Sequence, residues 1–209
     1  PWLVDRVCEN MRAWKKTLLF TGLREEVERI RTQVAQRLGG KVEEGRGFPA
    51  IVTTKGTIWA TYGESHDAKE RNALAREYNS HQGAAFLVGT GDVIGESLNL
   101  QNTDELIHGQ LPWSPVQVIQ RTGRVKSRLG RTKPVTIVFP VALGTIAERI
   151  AELLIPKLNI VEVFVPGGGS NEVADELRLD KAAARAEEAS LIASMLALDL
   201  DAEWSVGED

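Results

Sequence analysis

The chain has 209 residues, 43% of them hydrophobic, a formal charge of -4 and one cysteine. That length buries one substantial core plus a small appendage, while a lone Cys8 excludes an intrachain disulfide framework and a cysteine-cluster metal site. No apolar run approaches the ~20 residues that span a bilayer, so no membrane partner is expected; a cytoplasmic or nucleoid-associated setting, not a secreted one, is the expectation.

Pro1-Trp2-Leu3 resembles neither a signal peptide nor a natural start, so the sequence reads as a piece of a longer protein. Thr17-Leu18-Leu19-Phe20 predicts a first strand. Glu25 to Leu38 predicts a helix, with Val27, Ile30, Val34 and Leu38 on one face and Gly39-Gly40 as its stop. From Lys41 to Lys55, Gly45, Gly47 and Pro49 break any helix, leaving a connection with a short extra strand at Ala50-Ile51-Val52. A strand follows over Thr57 to Tyr62, a helix over Asp67 to Asn79, and strands at Ala84 to Val88 and Glu105 to His108. Ser114 and Pro115 open a helix to Leu129. A strand over Val135 to Phe139 and a helix over Thr145 to Leu154 close the series.

This alternation predicts an α/β fold: a mostly parallel sheet with helices on both faces and ligands beyond the carboxyl ends of the strands. The predicted domain runs over residues 1–165. Pro166-Gly167-Gly168-Gly169-Ser170-Asn171 is flexible punctuation before an acidic linker and helical tail over residues 166–209. That tail carries its acids from Glu172 to Asp209 against only Arg178, Lys181 and Arg185, so the body before it is net basic and suits a polyanion.

Two stretches concentrate candidate chemistry. Gly89-Thr90-Gly91 runs off a buried strand, where small residues let backbone amides approach phosphate oxygens; alone, this is also what a plain Gly-rich turn looks like. On the next predicted helix, Arg121, Arg124 and Arg128 fall along one face, with Gln117 and Gln120 beside them. Guanidinium forks match phosphate geometry, although a solvated basic face has the same composition. His66, His81 and His108 lack ligand spacing, so polar or capping roles and no metal site are expected. Trp59 and Trp113 read as packing residues, and Glu148 with Arg149 as a solvated helix face.

Taken in order, these pieces resemble the C-terminal RecA-like lobe of superfamily-two helicases and translocases, in its Swi/Snf-type branch. Lys16 to Thr21 is similar to motif four. Tyr62-Gly63-Glu64-Ser65, Lys69-Glu70-Arg71 and Tyr78-Asn79 are similar to the family's Asp-Gly-Ser turn, Lys-Glu-Arg helix start and Phe-Asn end. Gly89 to Gln101 resembles motif five; Leu111-Pro112-Trp113-Ser114-Pro115 with Gln120-Arg121-Thr122-Gly123-Arg124 resembles the aromatic-Asn-Pro element and motif six. Lys133-Pro134-Val135-Thr136 and Gly144 to Ile150 resemble the closing strand and Gly-Thr-Ile-Glu-Glu helix.

The resemblance implies the second motor lobe of a nucleic-acid-dependent ATPase. It assigns Arg124 as arginine finger, with Arg128 or Arg121 as a second arginine, and Gly95, Glu96 and Gln120 to the ATP side. Thr21, Gly22, Thr90 and Gly91, assisted by Arg24 and Lys55, fall on nucleic-acid phosphates, with DNA or RNA as partner. Two departures stand. Motif six spaces its arginines by three residues, which from Arg124 reaches Ser127, whereas the next arginine is Arg128; and motif five carries Asp92 and Ile94 where many relatives differ. No Gly-x-x-x-x-Gly-Lys-Ser/Thr loop is present. ATP and Mg2+ are therefore expected mainly on an N-terminal RecA-like lobe of the same parent, and the isolated chain is expected to be inactive. A second reading is a degenerate lobe acting as a nucleic-acid- or protein-binding regulatory module. A dinucleotide enzyme is disfavoured, since no Gly-x-Gly-x-x-Gly opens a helix.

Overall fold

The computed structural model describes residues 2–43, 50–62, 67–91, 94, 98–125 and 134–154. Gly95, Glu96, Arg128, Gly63 to His66 and the acidic tail lie outside these residues. The elements are α1 (Trp2–Arg12), β1 (Lys16–Thr21), α2 (Arg24–Arg37), β2 (Lys41–Glu43), β3 (Ala50–Val52), β4 (Gly56–Thr61), α3 (Ala68–Ser80), β5 (Ala84–Thr90), β6 (Glu105–His108), α4 (Pro115–Gly123) and β7 (Thr136–Val138), with residues 146–154 again helical.

One seven-stranded sheet has the order β2-β3-β4-β5-β1-β6-β7. Its five strands from β4 to β7 are parallel, as expected, and β2 and β3 add an antiparallel edge. The connection after α2 thus holds two short strands where one was expected, because Lys41–Glu43 folds back on Ala50–Val52 and pairs its backbone groups there. α1, which no periodicity announced, precedes the sheet.

β1 is buried at all six positions. Strands covered on both faces read as continuous apolar runs, and alternate side chains go to opposite faces. Leu19 joins Val4, Val7 and Met11 of α1 and Val27, Ile30 and Val34 of α2 on one face. Leu18 and Phe20 join Trp59 with Leu74 and Tyr78 of α3 on the other. Full burial of each such side chain contributes about 1.5–3 kcal/mol, and Trp59 is core as expected, 1% exposed.

Local chemistry sets several element ends. Gly39, at φ 65, takes the left-handed turn that ends α2. Asp67 and Glu70 form a reciprocal capping box at the start of α3. The Ser114 hydroxyl accepts from the Val116 amide at 3.3 Å, with Pro115 in the first turn. At the amino end of β6, buried Glu105 accepts from Arg6 at 2.9 and 2.6 Å and from Asn10 at 2.8 Å, fastening α1 to the sheet.

α4 is shorter than the sequence predicts. It ends at Gly123, residues 124–125 form a turn, and 126–129 of the predicted span lie outside the described residues. The amides of Arg124 and Val125 bond three residues back, to Arg121 and Thr122, tightening the last turn. The Arg124 carbonyl accepts from Leu100 at 2.8 Å, and Val125 is drawn fully into the core. Glycine, a weak helix former, sits where this pull acts.

Two further expectations change. His108 has no ordinary polar role: it is fully buried, stacked on Phe139 at 4.7 Å and Phe20 at 5.7 Å, and neither ring nitrogen has a hydrogen-bond partner. Glu148 is more than a solvated position, since its carboxylate accepts from the Gly144 amide at 2.7 Å. His81 caps α3 as expected, and Trp113 packs against Leu111, Ile150 and Leu154. Among the described residues no helix is long and apolar enough to cross a membrane.

Candidate functional site

Parallel strands bring their carboxyl ends to one rim. Thr21 of β1 and Thr90 of β5 are register partners there. The Thr21 hydroxyl is buried and donates to the Leu23 carbonyl at 3.4 Å. Gly22 follows, exposed, with the Gln110 amide packed so closely that a β-carbon on Gly22 would overlap it. The N-cap of α2 is Leu23, whose side chain cannot cap the first-turn amides. Arg24 is exposed in that turn, its guanidinium 4.5 Å from the Tyr62 ring centroid just beyond β4. Such a contact holds a cation at modest entropic cost while leaving its other face in solvent.

Arg121 reaches the same rim from α4. Its guanidinium packs on Gly91, where a β-carbon would overlap it, and lies 5.4 Å from the Phe20 centroid. Burial, and secondly the Arg121 charge, push His108 down to about 3, so its imidazole is neutral at pH 7. Arg124 is half-buried at the C-cap of α4, and Gln120 is exposed on that helix.

The structure therefore gathers Thr21, Gly22, Arg24, Thr90, Gly91 and Arg121 at one rim and fixes the backbone of Arg124 nearby. Lys55 does not join them. It precedes β4, and six residues of strand, about 20 Å, separate it from the carboxyl ends. Arg128, Gly95 and Glu96 are outside the described residues. Sequence reasoning missed Tyr62, Gln110 and His108 as rim residues; the available signal was that Tyr62 and His108 end predicted strands and Gln110 lies two residues beyond one.

Hydroxyls, open backbone and pinned guanidinium groups suit phosphate oxygens. A metal is another matter: among the described residues no group of three or more His, Cys, Asp or Glu could hold one.

Comparison with known proteins gives a consistent frame. The family model "Helicase conserved C-terminal domain" matches residues 2–128. The chain is similar to an uncharacterized ATP-dependent helicase, YqhH, of Bacillus subtilis, 38% identical over 71 residues, covering 34% of this chain and 13% of that protein. It is similar to the Zorya protein ZorD of Escherichia coli, 24% identical over 154 residues, covering 73% of this chain and 13% of ZorD. Among solved structures, the C-terminal part of the Fun30 ATPase domain superposes with TM-score 0.54 at 20% identity, covering 72% of this chain and 44% of that one. The Sulfolobus solfataricus SWI2/SNF2 ATPase core domain superposes with TM-score 0.50 at 23% identity, covering 80% and 30%. The chain thus spans 13% of the length of each of these two curated relatives.

Proposed function

The chain belongs to the helicase conserved C-terminal domain family and has the fold of a Swi2/Snf2 ATPase core, and from that premise we propose that it is the second RecA-like motor lobe of a nucleic-acid-dependent ATPase. The observation that carries this reading is the shared rim, where register partners Thr21 and Thr90 stand beside the arginine-bearing end of α4. Gly22 and Thr90, with Arg24 pinned on Tyr62, contact the phosphates of a DNA strand, or of RNA, while buried Thr21 and Gly91 hold the backbone that presents them. These contacts carry no sequence information and position the lobe.

Arg124 donates hydrogen bonds across an interlobe gap to phosphoryl oxygens whose negative charge grows during transfer. In the full protein ATP would supply the phosphoryl group and Mg2+ would offset its charge; guanidinium groups suit the triphosphate, whereas no donor set for a metal stands among the described residues. A P-loop lobe elsewhere in the same protein would hold the metal and most of the triphosphate, with Gly95, Glu96 and Gln120 assigned to the nucleotide side of this lobe. Packed between Gly91 and Phe20, Arg121 couples the phosphate track to α4; the second arginine toward nucleotide is Arg121 or Arg128. The protein works in the cytoplasm or on the nucleoid, and the isolated chain turns over negligible ATP.

The test is Arg124→Ala in the full-length protein. DNA-stimulated ATPase falls by roughly 10³-fold or more while DNA binding is nearly unchanged. Preserved turnover overturns the finger assignment of Arg124.

A further inference from the structure

We propose that Asn79, at the end of α3, is a positioning residue for Arg124, acting through the loop over residues 99–103; the proposal rests on the motor-lobe reading. Its starting point is the end of α4. The last carbonyls of a helix have no partner within it, and the Arg124 carbonyl takes its bond from the Leu100 amide at 2.8 Å. Where Leu100 sits therefore decides where the backbone of Arg124 sits.

Leu100 lies in an irregular segment that Asn79 binds on two sides. The Asn79 amide nitrogen donates to the Asn99 carbonyl at 2.8 Å, and its amide oxygen accepts from the Asn102 backbone at 3.2 Å. The Asn79 carbonyl accepts from the Asn102 side chain at 2.9 Å. Next to it, the Tyr78 hydroxyl pairs with Thr103 at 3.2 Å, and the Thr103 hydroxyl donates to the Leu100 carbonyl at 2.8 Å. Leu100 is thus held at its amide, at its carbonyl and by a fully buried side chain.

The clamp is anchored in turn. The Lys16 ammonium, at the start of β1, donates to the Tyr78 carbonyl at 2.8 Å and the Asn79 carbonyl at 3.4 Å. A continuous path runs from the central strand through the end of α3 and the loop to the cap of α4. It requires asparagine because one planar amide must donate to one backbone group and accept from another. These bonds are mostly solvent-exposed, so their loss costs little stability, whereas misplacing a catalytic group by about 1 Å costs on the order of 100-fold in rate.

The experiment uses the full-length protein with Asn79→Leu, Asn79→Asp, Arg124→Ala and the Asn79→Leu/Arg124→Ala double variant. Asn79→Leu is expected to lower DNA-stimulated kcat by about 10-fold or more, leaving KM for ATP and duplex affinity within about two-fold. Asn79→Asp keeps the acceptor for Asn102 but sets a carboxylate oxygen against the Asn99 carbonyl, so it lowers kcat as well. The double variant is no slower than Arg124→Ala, because both changes remove one interaction. In either Asn79 variant, hydrogen exchange at the Leu100 amide quickens, a readout that does not depend on turnover.

Wild-type kcat in Asn79→Leu, unchanged Leu100 exchange, losses that add in the double variant, or a matching loss of DNA affinity each overturn the positioning role. If Arg124→Ala is inactive and Asn79→Leu keeps the wild-type kcat, only this inference fails. If Arg124→Ala turns over normally, the finger assignment fails and takes this role with it.

Discussion

Arg121 and Gly91 share one space: the guanidinium rests where a β-carbon on Gly91 would stand. Gly91→Ala must therefore displace the head of Arg121. That head is the end of a flexible side chain, so the stability loss stays at the low end of overpacking, about 1 kcal/mol. DNA-stimulated ATPase of the full-length protein falls together with DNA affinity. Urea unfolding and turnover assays separate the two effects.

His108 makes the domain sensitive to acid. Its folded pKa of about 3 lies below the ordinary 6.5, so the unfolded chain binds the extra proton. The sign follows: stability is complete above pH 6.5 and falls by about 1.4 kcal/mol per unit as pH drops toward 3. His108→Phe keeps the stack with Phe20 and Phe139, removes two unpaired nitrogens and flattens this acid limb. Urea midpoints at neutral and mildly acidic pH check it; an unchanged slope refutes the assignment.

Arg6 and Glu105 hold α1 to β6. Burial alone would push the Glu105 carboxyl up, but the Arg6 and Asn10 hydrogen bonds and the Arg6 charge outweigh it and hold the carboxyl below its ordinary value. This contribution is present above the ordinary carboxylate pKa and is lost as pH falls through the depressed one. Arg6→Met leaves Glu105 buried without its cation and costs about 3 kcal/mol, the low end for a broken buried pair, since Asn10 still donates. Adding Glu105→Leu recovers part of the loss in the same unfolding assay.

Arg24 and Lys55 give opposite results in DNA binding. Arg24 stands at the rim on Tyr62, and Lys55 at the far end of β4. Arg24→Ala weakens duplex binding and lowers the slope of log K against log salt by about 0.9, the share of one phosphate contact. Lys55→Ala leaves the slope unchanged. Fluorescence anisotropy across a salt series reads both.

The sequence by itself determined what neighbours a few residues apart decide. Leu18-Leu19-Phe20 reads as a strand buried on both faces, Asp67 with Glu70 as a helix start, Gly39 as a stop, and Ser114-Pro115 as the opening of α4. That Thr21, Gly22, Thr90 and Gly91 meet at one rim follows from strands that run parallel, while their assignment to phosphates comes from the family resemblance. Only the tertiary structure decided that α4 stops at Gly123, that Lys55 faces away, that His108 is sandwiched without a partner, and that Tyr62, Gln110 and Asn79 serve the rim. Each of these depends on residues distant in sequence: Leu100 pulling on Arg124, or Arg6 reaching Glu105 across 99 positions. Periodicity records which face of an element is apolar; the position and partners of a polar group are fixed only once the elements pack.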